Sequence, residues 1–140
     1  MKSTFAYISA SILAFFAPVA GIMIAVGAFI SLDTLLGMMA AHKTGEKIES
    51  KKLSRVVWKM VMYQSVVLTF FVMDVFIVGD LLGHFVNTSF VLTKAVGVAL
   101  IGIEFKSIDE NIEKMTGTTL LKRLYDIIRK GKGIVSKIKE

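Results

Sequence analysis

The chain has 140 residues, of which 54% are hydrophobic, and a formal net charge of +6; its mean hydropathy is +0.67. A soluble domain of that size needs a largely polar exterior, so bilayer must replace water over much of the surface. The absence of Cys excludes disulfides, thiolate metal sites and cysteine nucleophiles.

One Pro and no strand-and-turn pattern point to an all-α integral membrane protein, since in hydrocarbon only helices or closed barrels satisfy every backbone group. The first apolar stretch, residues 5–41, would be near 55 Å long as one helix, against about 30 Å of hydrocarbon. Pro18 and Gly21 offer an interruption, because Pro loses a backbone donor and disfavours helical geometry just before it. The sequence therefore predicts a short N-terminal apolar helix within residues 1–17 and a first span near 19–41. Lys2 before an apolar run ending at Ala20 also has the outline of a secretory signal peptide; residues 3–16 are read instead as a helix in its own right, crossing the bilayer or lying along it.

A polar linker, 42–55, carries Lys43, Lys47, Lys51, Lys52 and Arg55. A second span is expected near 56–79 and a third near 88–106, giving a three-span domain over 18–106. The loop between them, around His84, has no Lys or Arg, whereas nine follow from Lys106 onward. Basic flanks stay on the cytoplasmic side, which places the linker and the 107–140 tail inside and the His84 loop outside. Within the tail, Leu120, Leu121, Leu124, Ile127 and Ile128 recur at helical spacing among Lys122, Arg123, Arg129 and Lys130. Residues 117–140 hold seven basic residues against two acids, a net +5. Such a basic amphipathic helix suits an anionic inner leaflet. Nucleic acid is the weaker partner, because no aromatic or motif-bearing binding domain accompanies the charge. Gly131 and Gly133 should loosen its last turns.

Five ionisable residues lie where lipid should tolerate none: Asp33, Lys59, Asp74, Lys94 and Glu104. Each costs about 2.5–3.5 kcal/mol on insertion scales unless it finds a partner or water, so the helices should meet. From helical rise, Asp74 and Lys94 lie about 8 and 9 Å from the outer ends of their spans, which predicts that they pair. Glu104 and Lys59 lie near the cytoplasmic ends, where they can pair or snorkel; a place one turn inside favours snorkelling for Lys59. Asp33 sits about 12 Å from Ala41 with no basic residue at its level on this reckoning. It heads a face of small residues with Gly37 and Ala41, and Ala95, Ala99 and Gly102 form a similar stripe. Asp33 makes its face an assembly interface or a water-lined surface rather than packing within one bundle. His42 and His84 read as surface residues without metal-ligand spacing. No nucleophile, base and orienting group converge and no phosphate loop is present, so neither an enzyme nor a cofactor is expected.

The run LDTLLGMMAAHKTGEKIESKKL resembles the toxin-secretion and phage-lysis holins, whose early span ends in Asp, a few residues, Gly and a small residue before a basic linker. Asp33, Gly37 and Ala41 take those places here, with Ser50, Lys51 and Lys52 in the linker. EFKSIDEN is a second match, through Glu104, Ser107, Ile108, Glu110 and Asn111. Leu36 departs from the pattern, in which Thr commonly precedes the Gly. The resemblance spans residues 30–115. It implies a homo-oligomer in the bacterial cytoplasmic membrane that opens a pore or lesion for host-cell lysis or protein release, with an antiholin or a lytic enzyme as functional partner. The competing reading is a structural or regulatory membrane subunit, an antiholin-like inhibitor or scaffold with no pore of its own. A transporter is disfavoured, as no internal repeat or substrate site is visible.

Overall fold

A computed structural model describes residues 2–46, 50–82 and 89–138, and all elements among them are helical. They are α1 (Lys2–Thr44), α2 (Ser50–Met73), a π-helical turn (Asp74–Val78), α3 (Gly79–Leu82), α4 (Val91–Thr116) and α5 (Leu120–Ile138). The loop around His84 lies outside the described residues.

The expected break at Pro18 does not occur. α1 runs unbroken through it for 43 residues, about 65 Å. Pro18 is exposed on the helix surface, and long apolar helices accommodate the lost donor of an internal Pro. Gly45, at φ +74°, ends α1 in the left-handed conformation, donating its N–H to His42 O at 3.4 Å, while Glu46 N donates to Ala41 O at 2.9 Å. His42 is exposed, as a surface residue should be.

α1, α2 and α4 form the bundle. α2 runs antiparallel to both others, and α1 and α4 run parallel: Ile22 faces Gly97, Gly37 faces Asn111, and Lys43 Nζ donates to Met115 O. The seam on α4 is Thr93, Gly97, Leu100, Glu104 and Ile108, spaced by three and four like a heptad repeat. On α1 the matching row is Val19, Val26, Ile30 and Ala40/Ala41, with Asp33 and Gly37 between. Val67 and Phe71 of α2 close the core. At the loop end, Phe15 and Phe16 stack against Phe71, and Phe71 against Phe90, with ring centroids 5.0–6.0 Å apart for these pairs and for Phe15 with Phe16.

Much of the described surface outside this seam is apolar. Ile24, Trp58, Phe76 and Val98 are each at least 66% exposed, which water would not tolerate together and acyl chains would. Two helical stretches are long and apolar enough to cross a membrane, Thr4–Thr44 and Leu53–Val78. Lys94, Glu104 and Lys106 keep α4 out of that class. α4 also continues ten residues past its expected end at 106, and this extension supplies part of the site described next.

Candidate functional site

The parallel register of α1 and α4 and the antiparallel register of α2 bring three charges together. Asp33 is 11 residues from the end of α1, Lys59 nine from the start of α2 and Glu104 twelve from the end of α4. At about 1.5 Å per residue all three stand roughly 14–18 Å from the linker end. Lys59 Nζ lies 2.6 Å from Glu104 Oε2 and 3.5 Å from Asp33 Oδ2. Asn111, on the extension of α4, donates from Nδ2 to Asp33 Oδ1 at 3.0 Å. Lys59 therefore does not snorkel, and Asp33 does have a base at its level. The sequence estimate missed this because it started α2 six residues late and ended α4 ten residues early.

Two carboxylates face one ammonium, so the fully ionised cluster carries an excess negative charge. Glu104 is wholly buried, its carboxylate set against the Lys59 ammonium and beside the Tyr63 side chain. Asp33 is better supplied. Its side chain is 14% exposed and borders a cleft of 220 Å³ at the linker end, which Gly37, Thr44, Glu46, Asn111 and Lys114 also line. The cleft gives water a route to Asp33, while Glu104 lies deeper, behind Lys59.

The small-residue face of α1 is covered by α4 of the same chain. A Cβ on Gly37 would stand 3.4 Å from Asn111 Nδ2, and Ala41 is buried. Intramolecular packing thus occupies much of the face that the sequence assigned to assembly or water, and the cleft opens beside Asp33 and Gly37. Ala95, Ala99 and Gly102 are exposed, and nothing stands within 4 Å of a Cβ placed on Gly102. Ser107 is half-buried and makes no hydrogen bond among the described residues.

The expected Asp74–Lys94 pair is not formed. Asp74 Oδ2 accepts the Thr93 N–H at 2.7 Å and the Thr93 hydroxyl at 2.6 Å, and Oδ1 accepts the Leu92 N–H at 3.2 Å. Phe90, at φ 59°, occupies the N-cap of α4 and has no side chain able to cap it. Asp74 performs that task from another helix, and the positive end of the α4 dipole stabilises its charge. Lys94 points away, exposed and without a partner among the described residues. Counting side-chain charges alone overlooked the backbone donors of a helix start. The π turn that begins at Asp74 closes with Gly79 N–H on Asp74 O, and a Cβ on Gly79 would stand 3.0 Å from that oxygen.

Gln64 is a polar contact that the search for charges passed over. Its Nε2 donates to Met23 O at 2.9 Å, tying α2 to the α1 backbone, while its buried Oε1 has no partner among the described residues. A lone amide in an apolar span was the available signal.

In the tail, Gly117 at φ +74° caps α4 and donates to Glu113 O at 2.7 Å. Asp109 Oδ1 then accepts the Leu120 N–H at 2.5 Å, fixing the start of α5 beside α4. Lys122, Arg123 and Arg129 are exposed; the side chain of Lys130 lies outside the described residues. Helical geometry continues through Gly131 and Gly133 to Ile138.

A family model for the bacteriophage holin family matches residues 10–132. No curated protein and no solved structure matches the chain.

Proposed function

We propose that this chain, which belongs to the bacteriophage holin family, assembles into homo-oligomers in the cytoplasmic membrane of the host bacterium and opens a pore or lesion there for lysis or protein release. α1 beyond Pro18, α2 and α4 are its three crossings, with the linker and the tail on the cytoplasmic side. The observation that carries this reading is the Asp33–Lys59–Glu104 cluster, two acids and one base set among three apolar helices, with Glu104 wholly buried. A single bundle sets two carboxyl groups against one ammonium, at a depth where charge is expensive. Subunits that turn the cluster towards a shared aqueous lumen hydrate it, so crowding shifts the population towards the open assembly. The exposed Ala95, Ala99 and Gly102 of α4 allow the close helix approach that such assembly needs. No catalysis enters this scheme.

Reconstituted protein should release dye from vesicles of anionic lipid, and graded dextrans should then report the lesion size. Vesicles that stay tight at every protein density would favour the second reading, an antiholin-like inhibitor or scaffold. The specific support for that reading is that Asp33 and Gly37 are already engaged by Asn111 within one chain.

A further inference from the structure

α5 leaves the bundle bare. Among the described residues it touches only α4, and Leu121, Leu124, Ile127 and Ile128 are each at least 52% exposed. At about 100° per residue, Ile127, Leu120, Leu124, Ile128 and Leu121 fall in one sector about 120° wide. Lys122, Asp126 and Arg129 take the opposite side and Arg123 borders the apolar sector. Asp126 is the one acid from Leu120 to Arg129, against three bases.

We infer that α5 docks in the plane of the membrane, its apolar sector among the acyl chains and Lys122, Arg123 and Arg129 on anionic phospholipid headgroups. Charge complementarity selects this occupant. An apolar face backed by basic side chains fits a negatively charged interface. Position supports it too, because the Gly117 turn and the Asp109 bond to Leu120 N start α5 at the linker end of the bundle, beside the Lys43 contact with Met115. The docked helix then holds the extension of α4, and with it Asn111 against Asp33, in a register set by the lipid surface. The inference rests on the membrane reading above but not on pore formation.

The absence of Cys makes the test direct. Leu124→Cys and Asp126→Cys variants of the full chain are placed in nanodiscs of phosphatidylcholine, with or without phosphatidylglycerol, and exposed to a membrane-impermeant maleimide. With phosphatidylglycerol, Leu124→Cys should label several-fold more slowly than Asp126→Cys. The protection should fall in phosphatidylcholine alone, in high salt, and when Arg123→Gln and Arg129→Gln are added to Leu124→Cys. Equal labelling of the two positions in anionic nanodiscs would overturn the inference. Protection that ignores lipid charge overturns it as well, and protection that rises with protein concentration in detergent assigns the face to a second copy. Dye leakage measured separately reports on pore formation, so failure of one leaves the other readable.

Discussion

Lys59 Nζ stands 2.6 Å from Glu104 Oε2, joining α2 to α4 through a carboxylate that is wholly buried. Because Asp33 reaches the same ammonium from α1 at 3.5 Å, a single lysine ties three helices. In hydrocarbon, where apolar burial does not drive helices together, packing and polar ties decide association.

Removing the base should therefore hurt more than removing an acid. Lys59→Met leaves a buried unpaired carboxylate and is expected to lower stability by about 3–5 kcal/mol, a loss that Glu104→Gln added to it should largely restore. Unfolding of the single and double variants in mixed micelles measures the coupling. Independent, additive losses would show that the pair contributes nothing as a pair.

For function, Asp33→Asn and Glu104→Gln variants should insert normally yet lose or retime permeabilisation, read as lysis timing at matched membrane abundance. Wild-type timing in both would remove the cluster from the mechanism.

Asp74→Ala should cost about 1–3 kcal/mol, since it uncaps α4 and strands the buried Thr93 hydroxyl. Lys94→Glu should leave stability nearly unchanged, and exchanging the two charges should fail to rescue Asp74→Lys. Rescue by the exchange would restore the ion pair that the geometry denies.

Gly97 and Gly102 should separate packing from assembly. A Cβ on Gly97 would meet Ile22 Cγ2 at 2.6 Å, and that methyl moves only with a stiff χ1. Gly97→Ala should cost about 1–3 kcal/mol and be relieved by Ile22→Ala. Gly102 faces open space, so Gly102→Leu should keep monomer stability while weakening oligomers in crosslinking assays. Equal thermal stability of Gly97→Ala and the parent chain would contradict the close approach.

The sequence by itself determined the solvent and the helical class, because hydropathy and the backbone's need for internal hydrogen bonds in lipid act on local composition. It also marked Asp33, Gly37, Glu104 and Asn111, and it outlined α5, whose apolar and basic positions alternate at helical spacing. Tertiary structure alone decided which charges meet. Pairing depends on where each helix starts and stops, and a few residues of error shift a level by about 1.5 Å each. Pro18 illustrates the same limit, since a missing donor marks a place where a helix can break without deciding that it does. Asp74 does so most plainly: its partners are backbone amides and a hydroxyl at the start of α4, donors that no count of acids and bases contains.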